Sequence, residues 1–574
     1  MAIPTYAAPE TPPQQAESSH AQRNLRFDPV TRVSGPFALH AAANFGDRTV
    51  SNAAARATAF RGYENILVGR DARDAVFVSS RACGVCGNAH STAAAQALEM
   101  ACGIEPPQMA VVARNLMAAL ECMIDHPSHL FLRAGLDYSE PIVRQTSPEL
   151  WARAEGATAA GADVHGLSRI ADIMTELRRN SGSQYREALH MSRVAREAYV
   201  TIGGKYPHPQ TATPGGVSST VDTTDFNLAL LRVVKFLDYT RRTVALWNDL
   251  VNFFYAADQR YAAVGAGPKN FLDLGLWDDP ASYGVGAIAN TAVPGNDRWS
   301  TPGAIVDGVL QTTDVRLIDA GVEEFVDHSF YEDWGAGPYS TDAAGNQLSQ
   351  RHPSNKQTIP RPADPESGGG AYSWCTAARW NGHPMETGAQ ARLWATALAG
   401  KGPHGGLTHS TGRSVVMTVP PAAMPAADVE WQVPQRWNAL ERNRARAYAL
   451  AQATVVAYES VVIGLDLARR GKEHSKIFNP YKIPRGATFG AGYWGGARGY
   501  VSHHLQLGDR VIENYQIVGP STFSGSPRDG AGRPGPCEAA VMATPLVSSD
   551  PGQQGIDVLR AIRSFDLCMF CATQ

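Results

Sequence analysis

Apolar residues recur at intervals of three or four over several long stretches of the chain, and this spacing predicts α-helices. The stretches are 93–100, 107–125, 167–179, 184–199, 226–255 and 437–470. Gly471 follows the last stretch at the position where a glycine commonly ends a helix. Helices of this number and length, without strand repeats between them, predict a central helical bundle.

Three other stretches show patterns that are not helical. Turn residues followed by short apolar–polar alternation predict a strand at a sheet edge over 27–40, and 59–71 fits either a strand or a short helix. A hairpin is predicted over 500–518, turning at Gly508-Asp509. These elements around the bundle predict an α+β fold that is mainly helical, with peripheral short strands and long loops.

The domain organisation follows from the distribution of glycine, proline and polar residues. Residues 1–24 are rich in Pro, Ala, Gln and Ser and are interpreted as a flexible N-terminal tail. Residues 25–574 then form a single domain, in which 260–370 is a loop-rich insertion with many Gly, Pro and Asp.

Composition excludes several classes of protein. The chain is 44% hydrophobic and 18% charged with a formal net charge of −3, so it is globular and a poor candidate for nucleic-acid binding. A run of about 18 apolar residues, as in a transmembrane helix, is not found. The first 24 residues have neither a twin arginine nor an apolar signal core, which predicts a cytoplasmic protein whose membrane association or export depends on partners.

Two Cys-x-x-Cys pairs, almost at opposite ends of the chain, carry the candidate chemistry. They are Cys83/Cys86 and Cys568/Cys571. Four converging thiolates suit zinc, copper(I), an iron–sulfur cluster, or nickel and iron. A structural zinc site is the simplest interpretation, but the nearby Arg81, His90 and Asp566 favour a catalytic metal with neighbouring proton donors.

Other candidate residues are weaker when taken singly. Arg498 is expected in a glycine-rich loop over 492–499, where an arginine is more often a surface charge. Asp125, His126 and His129 end a predicted helix, where such residues usually cap the helix or pack in the core. The isolated cysteines are expected to be small buried residues. They are Cys102, Cys122, Cys375 and Cys537.

The ordered set of motifs resembles the large, catalytic subunit of nickel–iron hydrogenases over residues 27–574. The two terminal motifs are Arg81-x-Cys83-Gly84-x-Cys86-x-x-x-His90 and Asp566-x-Cys568-x-x-Cys571. The supporting blocks are Asp28-Pro29-Val30-Thr31-Arg32, Phe60-Arg61-Gly62-Tyr63-Glu64, Gly203-Gly204-Lys205-Tyr206-Pro207-His208-Pro209-Gln210, Tyr372-Ser373-Trp374-Cys375 and Arg563-Ser564-Phe565-Asp566.

The resemblance implies a ligand set for a nickel–iron centre. Cys83 and Cys568 are expected to bind nickel terminally, while Cys86 and Cys571 bridge nickel to an iron that carries carbonyl and cyanide ligands. Cys568 is expected to serve as the base that accepts a proton.

The resemblance also implies roles for residues around the centre. Asp125, Arg498 and Asp566 are expected close to the metals, and His90 is expected to donate to a cysteine sulfur. Glu64 corresponds to a carboxylate that helps to hold a magnesium ion near the C-terminus.

Departures from the family pattern suggest a divergent branch, the actinobacterial-type uptake hydrogenases. Ser34 replaces the usual glutamate of the first motif, which leaves the proton path open, and Gln574 replaces the usual C-terminal histidine of the magnesium site. Thr376-Ala377-Ala378 stands where Lys-Ala-Pro is usual, and Ala497 replaces the proline before Arg498.

The expected activity is oxidation of dihydrogen by heterolytic cleavage, with electrons passed to a partner. This chain lacks further cysteines for a cluster relay, so an iron–sulfur small subunit is required as a partner. The resemblance implies that the two subunits form a dimer of heterodimers. A maturation protease and nickel chaperones are further implied partners. Two alternatives stay open: a non-catalytic scaffold like the related subunit of respiratory complex I, and a zinc-stapled interaction protein.

Overall fold

The computed structural model places long helices in the interior and small sheets around them, which confirms the predicted α+β, mainly helical class. The described residues are 22–284, 297–335, 337–363, 370–400, 402, 404–550, 552 and 554–573.

The helices are α1 Tyr63–Leu67, α2 Asp74–Ser80, α3 Gly87–Cys102, α4 Gln108–Pro127, α5 Glu140–Thr146, α6 Pro148–Gly156, α7 Ala162–His165, α8 Ile170–Glu176, α9 Ser183–Gly203, α10 Thr223–Ala257, α11 Val315–Ala320, α12 Ala389–Ala399, α13 Ala439–Arg469, α14 Pro520–Ser524, α15 Pro536–Met542 and α16 Ile556–Ser564.

The strands form seven small antiparallel sheets among the described residues. They are β1 Gln22–Phe27, β2 Phe37–Asn44, β3 Thr49–Ala57, β4 Ala212–Thr213, β5 Gly216–Val217, β6 Phe271–Asp273, β7 Leu276–Asp278, β8 Arg298–Ser300, β9 Gly303–Val306, β10 Val309–Thr312, β11 Val322–Phe325, β12 Ala377–Trp380, β13 Thr408–Ser410, β14 Ser414–Val419, β15 Ala427–Gln432, β16 Thr488–Gly496, β17 Gly499–Gly508 and β18 Val511–Val518.

The central bundle consists of α4, α9, α10 and α13, and it matches the predicted helical stretches. Asp222 caps α10 by accepting hydrogen bonds from the N–H groups of Thr224 and Asp225 (2.7 and 3.2 Å). Asn438 caps α13 in the same way. The helix predicted over 167–179 is shorter, Ile170–Glu176.

Helix α13 is long and apolar enough to cross a membrane by length and composition alone. In the structure, 72% of its most apolar window is buried against the rest of the chain. Core helices of folded proteins pass the same test, so this finding is weak evidence for a membrane span.

The N-terminal sheet corrects one prediction. The strand expected at a sheet edge is β2, and it lies in the middle of the order β1–β2–β3. The neighbour β1 begins at Gln22, inside the stretch interpreted as tail, and the alanine-rich β3 gives little strand signal in the sequence. Residues 1–21 of that tail lie outside the described residues.

The sheet β16–β17–β18 packs on α3 and corrects a second prediction. Residues 492–496, expected in a glycine-rich loop, belong to strand β16, and Arg498 lies in the tight turn to β17. The glycines allow the strand to approach the helix closely: a Cβ on Gly492 would lie 1.8 Å from the Ala93 carbonyl oxygen. The hairpin of β17 and β18 is confirmed, with its turn at Asp509-Arg510, one residue later than predicted.

The two ends of the chain meet in the interior. Ser34 pairs with Cys568 as a parallel bridge, in which the Ser34 N–H donates to the Leu567 carbonyl (3.1 Å) and the Met569 N–H donates to the Ser34 carbonyl (2.8 Å). Ala572 is 7% exposed and Thr573 is fully buried. The C-terminal segment is therefore held inside the fold.

Candidate metal centre

Four thiols from the two ends of the chain converge at one buried point. Cys83 and Cys86 lie in the turn between α2 and α3, and Cys568 and Cys571 follow α16. The Cys568 Sγ lies 3.3 Å from the Sγ atoms of Cys83 and Cys571, and all four side chains are fully buried. The structure thus brings together the four cysteines that the sequence singles out.

Local backbone geometry orients the sulfur atoms. The Cys83 Sγ accepts the N–H groups of Val85 and Cys86 (3.3 and 3.0 Å), as a tight Cys-x-x-Cys turn permits. The Cys568 N–H donates to Ser521 Oγ (2.7 Å), which fixes the second turn. Neither pair is a disulfide, since all four cysteines are free.

The thiols differ in acidity. Hydrogen bonds from Cys571 and the other thiols, supported by the positive charge of Arg498, hold the pKa of Cys568 well below its usual value. Burial raises the pKa of Cys571, and hydrogen bonding to Cys568 raises the pKa of Cys86. Cys568 therefore carries a negative charge more readily than Cys86 or Cys571.

This donor set fits a soft metal. The Sγ atoms of Cys83, Cys568 and Cys571 lie close enough together to bind one ion, and Cys86 makes side-chain contacts with all three. All four cysteines are free and buried. Thiolates bind nickel and iron as well as zinc, so the sulfur atoms alone do not select the metal.

Charged side chains cover one side of the sulfur cluster. Arg498 donates to both carboxylate oxygens of Asp125 (3.0 and 3.1 Å), and its Nη2 lies 3.2 Å from Asp566 Oδ1. Arg498 also donates to the Leu567 carbonyl (3.4 Å), directly before Cys568. The structure therefore places the three predicted charged residues together.

Three further residues belong to this group, and sequence reasoning missed them or gave them little weight. Arg446 of α13 donates to Asp566 Oδ2 (3.1 Å), and Arg133 bridges the two aspartates. His129 Nδ1 lies 3.3 Å from Asp566 Oδ1. For His129 the sequence does contain a signal: it follows Asp125 by four residues, so on a helix the two side chains would lie on the same face.

The charge balance keeps Asp566 ionised. Burial opposes the charged form, but Arg498, His129, Arg446 and Arg133 together hold the pKa of Asp566 well below its usual range. Three guanidiniums face two carboxylates, so the cover over the sulfur cluster carries a net positive charge.

A second chain of polar groups reaches Cys571. His90 Nε2 lies 3.5 Å from Cys571 Sγ, and its Nδ1 lies 2.9 Å from His503 Nε2. His503 Nδ1 in turn lies 2.6 Å from the Tyr515 hydroxyl. Burial lowers the pKa of His90 to about 4, so its imidazole is neutral near pH 7. The sequence did not identify His503 as a site residue, because it lies within a predicted strand and belongs to no motif.

The region around Glu64 holds more negative than positive charge. Glu64 accepts the Ile517 N–H (2.9 Å) and a short hydrogen bond from the Thr358 hydroxyl, and Lys356 lies between Glu64 and Glu324 (3.5 and 3.1 Å). Glu324 Oε1 is buried and has no hydrogen-bond partner among the described residues. This oxygen-rich set fits a hard cation such as magnesium. Gln574 lies outside the described residues.

The structure also shows where Arg81 and the four isolated cysteines lie. Arg81 turns away from the thiols and donates to the Phe77 carbonyl and Ser80 Oγ (2.8 and 2.9 Å). Of the four isolated cysteines, three are buried and Cys102 is partly exposed.

Comparison with known proteins decides the family. The family model described as nickel-dependent hydrogenase matches residues 61–158 and 172–574. The chain belongs to the nickel-dependent hydrogenase family. The resemblance noted in the sequence is therefore confirmed.

Relatives and solved structures agree with this assignment. The chain is 28% identical to the quinone-reactive Ni/Fe-hydrogenase large chain of Wolinella succinogenes and 28% identical to the uptake hydrogenase large subunit of Bradyrhizobium diazoefficiens, in each case over 96% of this chain and 95% of the relative. The actinobacterial-type NiFe-hydrogenase from Ralstonia eutropha H16 superposes with a TM-score of 0.91 at 36% identity, covering 96% of this chain and all of that one. A hydrogenase catalytic subunit is thus supported, and the scaffold and zinc-staple alternatives are not.

Proposed function

We propose that this chain is the catalytic subunit of a nickel–iron hydrogenase that oxidises dihydrogen. The observation that carries the proposal is the convergence of four buried thiols beneath Arg498, Asp125 and Asp566. A structural zinc staple needs the sulfur atoms but gains nothing from a cover of buried charges, each of which is costly to desolvate.

We assign the metal ligands by position in the two motifs. Cys83 and Cys568 would hold nickel terminally, and Cys86 and Cys571 would bridge it to an iron with carbonyl and cyanide ligands. When bound, such a centre supplies the Lewis acid that polarises dihydrogen.

The protein residues would manage the proton that heterolytic cleavage releases. In addition to the thiol hydrogen bonds, Arg498 helps to hold the pKa of Cys568 below its usual value, so its sulfur would carry negative charge near neutral pH and could accept the proton at Sγ. Arg498, fixed by two hydrogen bonds to Asp125, would keep a positive charge over the cluster and exclude water from it.

Each dihydrogen molecule yields two protons and two electrons, and the electrons must leave through a partner. The other four cysteines lie apart in the fold: Cys102 on α3, Cys122 on α4, Cys375 before β12 and Cys537 on α15. None of them belongs to a group of converging metal-binding side chains among the described residues, so an iron–sulfur small subunit would supply the relay. The relatives carry the printed names large chain and large subunit, which implies such a partner.

A magnesium ion would be held near the C-terminal segment. Glu64 is the proposed ligand, and the unpartnered Glu324 oxygen supports a further cation there. Gln574 completes the proposed site by its position in the sequence. Replacing Glu64 with Gln is expected to lower magnesium content while nickel stays bound, as measured by elemental analysis.

The proposal also covers the assembly of the enzyme and its location in the cell. The chain would form a dimer of heterodimers with the small subunit, after nickel chaperones and a maturation protease have acted. It would work in the cytoplasm, at the membrane through its partners. Some of the relatives are named quinone-reactive or uptake hydrogenases, which accords with electron delivery towards a membrane.

An infrared spectrum of the purified heterodimer tests the proposed centre directly. The expected result is one carbonyl band and two cyanide bands that shift under hydrogen. A mature protein that contains nickel but shows no such bands would overturn the assignment.

Single cysteine variants test the ligand assignment. Cys571→Ser is expected to abolish hydrogen uptake and to lose the carbonyl and cyanide bands, because a bridging thiolate is removed. The control is Cys102→Ser. Cys102 is partly exposed and lies at the opposite end of α3 from Cys86, so this variant is expected to retain hydrogen uptake and the infrared bands. Full activity and nickel in Cys571→Ser would contradict the assignment.

A further inference from the structure

A second buried cluster of metal-binding side chains lies outside the thiol site. It consists of Asp319, His352 and His504, whose ligand atoms all lie within 4.8 Å of one another. Asp319 is 3% exposed, His352 is fully buried and His504 is 2% exposed. The three come from α11, from the segment before Lys356, and from β17.

The separations between these atoms are those of ligands around one ion. His352 Nε2 lies 3.4 Å from Asp319 Oδ2, and His504 Nε2 lies 3.5 Å from Asp319 Oδ1. Both exceed an ordinary N–H···O hydrogen bond. In a tetrahedral zinc site, bonds of about 2.0–2.2 Å place neighbouring ligand atoms about 3.3–3.5 Å apart.

A buried histidine–aspartate pair elsewhere in the chain shows the contrast. His165 Nε2 lies 2.9 Å from Asp249 Oδ2, which is a normal hydrogen-bond distance. In the cluster, by contrast, Asp319 Oδ1 has no hydrogen bond of normal geometry among the described residues, and the neighbouring Tyr500 hydroxyl is likewise buried without one. Either a cation or a rotation of the Tyr500 hydroxyl would satisfy this carboxylate oxygen, and metal analysis of the protein distinguishes the two.

The charges around Asp319 also favour a bound cation. The ion-pair partners of Asp319 among the described residues are His352 and His504. Burial lowers the pKa of His504 to about 4, so this imidazole is neutral near pH 7 and its nitrogen lone pair is available. Tyr493 adds a hydroxyl that donates to Asp319 Oδ2 (3.0 Å) but brings no charge.

Metal binding would change a hydrogen bond at each histidine, since His504 Nε2 would give up the Ser502 hydroxyl (3.1 Å). The Ser354 hydroxyl lies 3.2 Å from His504 Nδ1 and can fix that ring with Nε2 towards the ion. His352 Nδ1 accepts the Ser354 N–H (3.1 Å), and its Nε2 faces the Asp319 carbonyl oxygen (3.1 Å). Binding at His352 Nε2 would place the ring hydrogen on Nδ1 and give up the bond from Ser354.

We propose that Asp319, His352 and His504 bind a zinc ion that is separate from the nickel–iron centre. Two imidazoles and one carboxylate suit a divalent ion of intermediate softness, and full burial suits a structural zinc. The ion clips α11 and the segment at His352 onto strand β17.

Elemental analysis and zinc-edge X-ray absorption on the purified heterodimer test the proposal. After growth with added zinc and dialysis against a chelator, we expect one zinc per chain with nitrogen and oxygen neighbours only. Zinc far below one per chain, in protein that holds its nickel, would overturn the proposal and leave a metal-free cluster. Another transition metal in the same position would overturn the choice of zinc.

Variants locate the ion. His504→Gln and Asp319→Asn are each expected to lose zinc, keep nickel and lower the thermal midpoint, whereas His165→Gln, from the hydrogen-bonded pair, keeps zinc. Zinc retained in both cluster variants would contradict the assignment. If these variants do not fold, the anomalous signal at the zinc edge in crystals of the unaltered protein decides, since density away from Asp319 would also overturn it.

Discussion

At the scale of single residues, Arg498 and its two aspartate partners hold the charged group beside the thiols together. Arg498 makes two hydrogen bonds to Asp125 and lies within ion-pair distance of Asp566, with all three side chains almost fully buried. A lysine carries the same charge but cannot form the two-pronged contact. The geometry of the guanidinium, and not its charge alone, therefore holds the cover together.

Arg498→Lys should consequently lower hydrogen uptake with the metals still bound. We expect a loss on the order of 10²-fold, as for the removal of one fixed electrostatic group from an active site. The measurement is turnover per nickel, with metal content determined on the same sample.

Arg73→Lys is the matched control for this prediction. Arg73 makes a similar two-pronged contact with Asp71 (2.8 and 2.7 Å) but is exposed, so its replacement should leave turnover unchanged. Equal activity of the Arg498 and Arg73 variants would show that a buried positive charge suffices.

His503 gives a second prediction at this scale, because it supports His90 from behind. In His503→Ala, His90 Nδ1 loses its 2.9 Å partner in a buried position, so the ring would reorient and alter its contact with Cys571. We expect turnover to fall by about 10-fold, the lower end of the range for partners of metal ligands, because His503 acts on Cys571 through His90, with nickel retained. Infrared bands of the iron ligands should shift, which a merely structural change elsewhere would not produce.

Tyr515→Phe provides the comparison for His503→Ala. This variant removes the hydroxyl that contacts His503 Nδ1 but keeps the ring packed, so a smaller shift is expected. Unchanged bands and turnover in His503→Ala would remove His503 from the support of the centre.

At the scale of secondary structure elements, strand β16 and helix α3 set the position of the first cysteine pair. Helix α3 begins directly after Cys86, and β16 packs against it through glycines. The strand leads into Arg498, so one contact positions both a metal ligand and the charged cover. Any residue larger than glycine at this contact must push the two elements apart.

Gly492→Ala tests this contact. The added Cβ would lie 1.8 Å from the Ala93 carbonyl oxygen, so backbone must move. We expect destabilisation of about 1–3 kcal/mol or more, as for overpacked cores, seen as a lower thermal midpoint together with reduced nickel content. Gly156→Ala is the control, since nothing lies within 4 Å of its added Cβ, and equal midpoints for the two variants would contradict the close packing.

At the scale of the whole molecule, the centre exists because the chain closes on itself. The segment at Ser34 and the segment at Cys568 are joined by a parallel bridge, although more than five hundred residues separate them. Ala572 and Thr573, which follow the last cysteine, are buried, so this closure depends on a segment after Cys571 that packs inside the fold.

The sequence by itself determined the helices of the bundle, the hairpin of β17 and β18 and the identity of the four cysteines. Helical periodicity over α10 and α13 is a local property, since each residue contacts neighbours three and four positions away. The cysteines carry their own chemistry, and their paired spacing identifies a metal site before any contact is known.

Only the tertiary structure decided which distant residues join that site. Arg133, Arg446 and His503 carry no local signal, because their partners Asp566 and His90 are far away in sequence. Strand β16 was mistaken for a loop for the same reason: its glycines are explained by a helix about four hundred residues earlier, to which the strand must come close. Asp319, His352 and His504 likewise become a site only when α11 and β17 pack together, since ligand geometry is a property of the folded chain.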